Sequence, residues 1–306
     1  MVVKLNEGFS GEGNALLMTG TIQQQLRHSG PSQEKEDRLL IMQGLREMRF
    51  FGTAETWEGY NSQIPKLGVI AECYLGEGSE FVSGTMASPS VQCVITAAGE
   101  IKILSTHEQI LRDQVYLGCE FPANAAYRRA LMRYGRAVGE VLRSAGVVDF
   151  FGVDFIVAQY VETGEWLVKA LEINLRQGGT THPLMTTKLL TNGELKEDDG
   201  LLYAKDYKGN ITQPKYYVAS DNLESTSFRG LVPMDLLDIM RTHNLHFNHH
   251  TQVGVVFHLL GCLSEFGKIG VTCIANSAEE AHTMYQHVTE LLHVEGSRFA
   301  SLAVQP

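Results

Sequence analysis

The chain has 306 residues, about two domains' worth and enough for a sizeable buried core, and its 44% hydrophobic and 20% charged residues exclude an intrinsically disordered polymer. A net charge of −10 opposes polyanions, so nucleic acid and anionic membrane surfaces are poor partners, although a local basic pocket is allowed. The cysteines, Cys73, Cys93, Cys119, Cys262 and Cys273, are odd in number and lack a C-x-x-C pair, which disfavours a disulfide framework or zinc ribbon and fits a reducing, cytoplasmic setting.

Val2 to Leu5 reads as a strand entering a glycine-rich turn, Gly8-Phe-Ser-Gly11-Glu-Gly13. Lys4 interrupts the first apolar stretch, so this stretch is not expected to act as a secretory signal. Arg27 to Ser32 is a loop, and between Gln33 and Arg49 the apolar residues Leu39, Leu40, Met42, Leu45 and Met48 follow a helical spacing. Leu67 to Leu75, Glu80 to Ser83, Val91 to Thr96 and Ile101 to Ser105 are β-branched or alternating, with a hairpin turn at Ala97-Ala-Gly-Glu100, and predict an antiparallel meander. Ala125 to Ala145 is a long amphipathic helix followed by Gly146, where a terminating glycine belongs. Strands Gly152 to Gln159 and Trp166 to Leu175 flank a turn at Val161 to Glu165. After a polar break, Asn192 to Gly200, Pro233 opens a helix, Val253 to Leu260 and Gly270 to Ala275 are strands, and Ser277-Ala-Glu-Glu280 is a capping box. Neither the uncharged run Phe81 to Gly99 nor the short apolar stretch Thr251 to Ser264 suits a bilayer span.

If Glu162-Thr-Gly164 is the turn of an antiparallel hairpin, Asp154 lies directly opposite Glu172. Opposed carboxylates are destabilising unless something offsets them, and a divalent cation would. Alternation places Glu172, Asn174 and Arg176 on the face of Asp154, gathering two carboxylates, an amide oxygen and a guanidinium. Hard oxygen donors of this kind suit Mg²⁺. A bulge in the hairpin would spoil the register, and the same spacing also suits an ordinary strand end in which Arg176 neutralises Glu172. A second group joins Lys4 to Gly8, Gly11 and Gly13: glycines let backbone N–H groups approach a phosphate, and a lysine on the preceding strand adds charge. It is neither a Walker A loop nor a G-x-G-x-x-G pattern, and a plain glycine-rich loop is the other reading.

Together, Val3-Lys-Leu-Asn-Glu-Gly-Phe-Ser-Gly-Glu-Gly-Asn14 and Ala170-Leu-Glu-Ile-Asn-Leu-Arg-Gln-Gly-Gly-Thr-Thr-His-Pro183 resemble the two ends of an ATP-grasp nucleotide site. The resemblance implies ATP and Mg²⁺ as cofactors. Lys4, Gly8, Gly11 and Gly13 would cover the phosphates, and Asp154, Glu172 and Asn174 would hold Mg²⁺. Ala71-Glu-Cys-Tyr-Leu75 looks like the adenine hinge, with Glu72 at the amino group and main-chain atoms of Cys73 and Leu75 at the ring, and Glu80 resembles the residue near the ribose. The phrasing around Lys4 to Ala15, Ser105-Thr-His-Glu-Gln-Ile110, Arg176 to Pro183 and Phe257 to Gly267 is similar to pheganomycin-type peptide ligases and to the C-terminal part of IQ-motif-containing protein H.

What the resemblance implies is an α+β ATP-grasp fold with a truncated N-terminal lid, an antiparallel sheet core and a C-terminal α/β domain. The expected division is 1–75 as a partial lid, 76–195 as the catalytic part with the metal strands, and 200–306 as a peptide-ligase-type domain, with a further N-terminal domain missing. The implied activity is ligation of a small-molecule or peptide carboxylate to an amine through an acyl phosphate, with Arg176 catalytic and Gly178, Gly179, Thr180 and His182 shaping an acceptor pocket. His182 is equally readable as structural. The rival reading is a non-catalytic nucleotide-binding module of a larger ciliary or sperm protein. Three other signals carry less. His243, His246, His249 and His250 lack a carboxylate or cysteine to complete a zinc set. Ile22 to Arg27 matches only half of a calmodulin-binding IQ pattern. Cys93 with His107 has no supporting nucleophile motif.

Overall fold

A computed structural model describes residues 1–7, 13–26, 34–52, 55–74, 86–112, 115–160 and 162–302. The chain divides into two compact units, Met1–Ser83 with Leu111–Tyr116, and Gly84–Ile110 with Leu117–Pro306. The expected loop at Arg27 to Ser32 and strand at Glu80 to Ser83 lie outside the described residues.

The first unit is a four-stranded antiparallel sheet in the order β3-β2-β1-β4, built from β1 (Val2–Leu5), β2 (Asn14–Leu16), β3 (Arg49–Phe50) and β4 (Val69–Glu72), with helices α1 (Thr19–Leu26), α2 (Glu34–Arg46) and α3 (Trp57–Leu67). Strand alternation sends Val3 and Leu5 into a core with Ala15, Met48 and the fully buried Tyr60, leaving Lys4 on the opposite face. The Tyr60 hydroxyl lies 3.1 Å from the carbonyl oxygens of both Val3 and Gly13 and donates between them, tying α3 to β1 and to the glycine turn. Helix α2 forms where the apolar spacing predicts it, yet buries no residue, and Leu39 stays 65% exposed. The strand expected to begin at Leu67 starts two residues later. Residues Trp57–Leu67 form a helix whose N-cap, Thr56, accepts from the Gly59 N–H, and which ends at Gly68 with φ +76°.

The second unit is organised on an eleven-stranded sheet whose main path runs β10-β9-β6-β7-β8-β13-β12-β11. Its strands are β5 (Met86–Ala87), β6 (Pro89–Ile95), β7 (Ile101–Arg112), β8 (Val115–Phe121), β9 (Asp149–Gln159), β10 (Trp166–Asn174), β11 (Glu194–Lys196), β12 (Leu201–Lys205), β13 (Ile211–Glu224), β14 (Gly254–His258) and β15 (Lys268–Ala275). Helix α4 (Ala125–Ser144) packs on the face carrying Val91, Cys93, Phe151, Val153 and Phe155. Its Gly135 and Gly139 permit the close approach, since a Cβ at Gly135 would meet Val91 at 2.9 Å and one at Gly139 would meet Ile101 at 2.8 Å. Gly146, with φ +81°, ends the helix as expected.

Helices α5 (Thr181–Leu190), α6 (Pro233–Thr242), α7 (Leu263–Phe266) and α8 (Ala278–Leu302) complete the unit. Phe228, Leu236, Ile239, Val271, Val288 and Leu292 form a second core around β15, α6 and α8. The capping box at Ser277 is realised on one side only. Glu280 N–H donates to Ser277 Oγ at 3.1 Å, but the Glu280 carboxylate accepts from Asn276 N–H at 3.0 Å. Strands β8, β11, β12 and β13 carry no clear alternation in sequence; β13 in particular contains Pro214, Lys215, Asp221 and Asn222, residue types depleted in strands. The break at Asn192 to Gly200 holds the short β11, paired with β12. Among the described residues no helix is long and apolar enough to cross a membrane.

Candidate active site

Asp154 on β9 faces Glu172 on β10, as the sequence predicts. The route to that pairing differs from expectation. Near the turn the register is one residue out, with Trp166 opposite Gln159 and Ala170 opposite Phe155, and a bulge at Leu171 then brings Glu172 opposite Asp154 and Asn174 opposite Gly152. Trp166 and Val168 pack on the apolar core, so strict alternation without the bulge would carry Glu172 and Asn174 into the same core. The extra residue reverses the sidedness of β10 and delivers the polar set to the other face.

There the two carboxylates converge. Asn174 Nδ2 donates to Asp154 Oδ2 at 3.1 Å and to Glu172 Oε1 at 3.2 Å. Gln109, from β7, donates to Asp154 Oδ1 at 2.8 Å. Arg176 lies beyond, donating to Asn174 Oδ1 at 3.5 Å and to the Gln177 carbonyl at 3.2 Å. Desolvation pushes the Asp154 carboxyl well above the usual carboxylate range, and the charge of Glu172 pushes the same way. The two carboxylates repel one another, a repulsion that the charge of Arg176 offsets only in part, and N–H donors stand where a cation would sit. A half-turn of the Asn174 amide presents its oxygen instead, completing an all-oxygen donor set that fits Mg²⁺. Gln109 was quoted in sequence only as part of a motif, since its approach to Asp154 depends on the order β9-β6-β7.

In the first unit Lys4 Nζ pairs with Glu72 Oε2 at 2.7 Å, across β1 and β4. The N–H of Gly13 donates to Glu55 Oε1 at 2.7 Å, and Glu55 Oε2 accepts from Gly52 N–H at 3.2 Å. Gly13 has φ +83°, so the turn that closes β1 onto β2 needs a glycine there. Cys73 follows β4 and is exposed. Gly8, Gly11, Leu75 and Glu80 lie outside the described residues.

Elsewhere, His182 stands at the start of α5 in contact with two groups that no spacing linked to it, Asp221 on β13 and His258 on β14. Burial works to raise the Asp221 carboxyl, but hydrogen bonds from His182 and His258 outweigh it and hold the group at about 2. Of the histidine-rich segment, His243 meets His287 edge-on and His249 meets Phe247. Cys93 is buried and its thiol is pushed up to about 12 by desolvation, so it is no thiolate nucleophile. His107, which donates to or accepts from the Tyr217 hydroxyl at 2.6 Å, is fully buried and pushed down to about 3.

The family described as IQCH-like, ATP-grasp matches residues 45–198, about half of the chain. The chain belongs to the IQCH-like ATP-grasp family. Within this ATP-grasp chain, the PGM1 C-terminal domain matches residues 235–288. The L-propargylglycine–L-glutamate ligase of Streptantibioticus cattleyicolor is 32% identical over 224 residues, which are 73% of this chain and 43% of that enzyme. The chain thus spans less than half the length of this curated relative. Among solved structures, N5-carboxyaminoimidazole synthetase from Staphylococcus aureus, complexed with ADP, aligns with a TM-score of 0.50 at 16% identity over 94% of this chain and 60% of that one. The biotin carboxylase domain of Hydrogenobacter thermophilus 2-oxoglutarate carboxylase, in complex with MgADP, ADP and bicarbonate, aligns with a TM-score of 0.52 at 14% identity over 94% of this chain and 55% of that one. At these identities the likeness is one of fold, and the fold is ATP-grasp.

Proposed function

We propose that the chain is the nucleotide- and metal-binding part of an ATP-dependent ligase that joins a carboxylate to an amine. The observation that carries this reading is the convergence of Asp154, Glu172 and Asn174 on one face of the β9–β10 hairpin, where burial and the charge of Glu172 raise the Asp154 carboxyl. Membership of the family and the 32% identity to an amino acid ligase support it.

On this reading Asp154, Glu172 and Asn174 hold Mg²⁺, whose charge would neutralise phosphate oxygens in phosphoryl transfer. Gln109 fixes Asp154 Oδ1, leaving Oδ2 for the ion. Lys4 and the N–H groups of Gly8, Gly11 and Gly13 contact the phosphates, for which Lys4 leaves Glu72 and Gly13 leaves Glu55. Glu72, with main-chain atoms of Cys73 and Leu75, receives adenine, and Glu80 the ribose. A carboxylate oxygen attacks the γ-phosphorus of ATP, the bond to the β-phosphate oxygen breaks, ADP leaves, and an acyl phosphate forms. An amine then attacks the acyl carbon, phosphate leaves, and an amide remains. Arg176 stabilises the oxyanion of that attack, a role whose loss costs about a hundredfold or more in rate. The substrate class is an amino acid or peptide carboxylate with an amino acid amine. Residues 1–75, 76–195 and 200–306 would serve as partial lid, catalytic part and peptide-ligase-type part.

Mg²⁺-dependent release of ADP and phosphate in the presence of paired amino acids, abolished by Arg176→Ala and Glu172→Gln, is the expected result. ATP binding without turnover across a broad amine panel would favour the second reading, a nucleotide-binding regulatory module, to which the match to the IQCH-like family also lends support.

A further inference from the structure

Three side chains from separate elements of the second unit point their donor atoms at one spot. His182 is the second residue of α5, Asp221 sits on β13 where the register with β15 shifts between Ser220 and Leu223, and His258 ends β14. His182 Nε2 lies 2.9 Å from His258 Nε2 and 3.1 Å from Asp221 Oδ1, and His258 Nε2 lies 2.9 Å from that same oxygen. Among the described residues this is the one group of three or more such side chains whose ligand atoms converge.

Two imidazole nitrogens and a carboxylate oxygen at mutual contact have more lone pairs than shared protons can satisfy. A neutral imidazole offers a single N–H, whereas one small cation at the centre engages all three. Ligand distances of about 2.0–2.2 Å for zinc place tetrahedral ligand atoms roughly 3.3 Å apart, within a few tenths of an ångström of the three observed edges. The site is also built into the backbone. His258 pairs with Gly270 across β14 and β15, and a Cβ on Gly270 would lie 2.1 Å from His258 Nε2. Only a glycine leaves room for the ring in this orientation.

We propose that His182, Asp221 and His258 form a binding site for a divalent transition metal of the zinc class, separate from the all-oxygen face at Asp154. Imidazole nitrogen selects zinc-class ions over Mg²⁺. The side chains retain exposures of 38%, 30% and 24%, so three protein ligands leave a coordination position open to water or to an anionic ligand, the arrangement of non-structural zinc sites. His182 lies six positions after Arg176, at most about 20 Å of chain. The ion thereby pins the start of α5, and with it the end of the Gly178–Thr181 loop that follows the arginine.

The test is a Zn²⁺ titration of chelator-treated protein against a chromophoric competitor, with bound metal counted by mass spectrometry and Co²⁺ absorption as a geometric readout. One equivalent should bind. His258→Ala and the near-isosteric Asp221→Asn should each weaken binding at least tenfold and abolish the tetrahedral Co²⁺ bands. Glu172→Gln and a His246→Ala/His249→Ala double variant should leave both unchanged. No tight equivalent in the parent chain, or an equivalent that survives Asp221→Asn and His258→Ala or is lost with His246 and His249, would overturn the assignment.

Discussion

Replacing Glu172 by Gln separates a cation site from a salt-linked strand end, because the two make opposite predictions for the metal-free protein. Directly opposed side chains lie about 4.5–5.5 Å apart at Cβ, and like charges there cost roughly 0.2–1 kcal/mol. The Asp154 carboxyl, raised by burial and by Glu172, marks this pair as repulsive. Glutamine removes one charge and keeps the oxygen that accepts from Asn174 Nδ2, so the metal-free variant should gain about 0.5–1 kcal/mol. For a unit of this size that is a rise of about 1–4 °C in Tm. Mg²⁺-ATP at a hundred times its Kd should stabilise the parent by about 2.7 kcal/mol, or roughly 5–11 °C. The variant should lose the Mg²⁺-dependent part of that shift. Scanning fluorimetry in EDTA, in Mg²⁺ and in Mg²⁺-ATP reads all three. A lower metal-free Tm with an undiminished Mg²⁺ response would refute the reasoning and leave Arg176 as the partner that Glu172 requires.

Three further outcomes are expected. The folded-state pKa of Asp154 lies above its unfolded value, so the folded chain binds the extra proton; metal-free stability should fall as pH rises out of the acid range, and saturating Mg²⁺ should flatten that slope. His107 behaves in the opposite sense, because its folded pKa of about 3 lies below the ordinary histidine value. It should make stability decline as pH drops below about 6.5, and His107→Gln should soften that acid limb in denaturant titrations at pH 4 and pH 7. Tyr60→Phe removes the proton shared by the Val3 and Gly13 carbonyls; it should cost about 1–2 kcal/mol, read by urea melts followed through signals of the first unit.

The elements legible in the sequence are those whose signal is local. Helix α4 announces itself through spacing and Gly146, and β6 and β7 through alternation around a short turn. Strand β13 was hidden because Pro214, Lys215 and Asp221 break its pattern, and its place is set by β8, β12 and β15. The carboxylate pair was legible for a partly accidental reason: the hairpin begins one residue out of the expected register and the bulge at Leu171 restores it. His182, Asp221 and His258 were not legible as a group. Their meeting depends on three elements that local periodicity does not connect; His182 and His258 sat in two separate quoted segments that nothing linked, and Asp221 sat in none. Lys4 was expected to face phosphates; the fold adds that Glu72 already neutralises it, a long-range pairing of β1 with β4 that no window of sequence displays.

The bulge at Leu171 makes the site depend on a shift of backbone register more than on the identity of one residue. Leu171 is 38% exposed, and its side chain contributes little that another residue could not. Its place in the chain is what matters. If the same residues ran in one continuous register without the bulge, Glu172, Asn174 and Arg176 would exchange faces with their neighbours, and a polar cluster would be driven toward an apolar core. Deleting the Leu171 codon would take out the bulge and the extra residue together, leaving a regular strand in which Ala170 still faces Phe155 and Glu172 still faces Asp154.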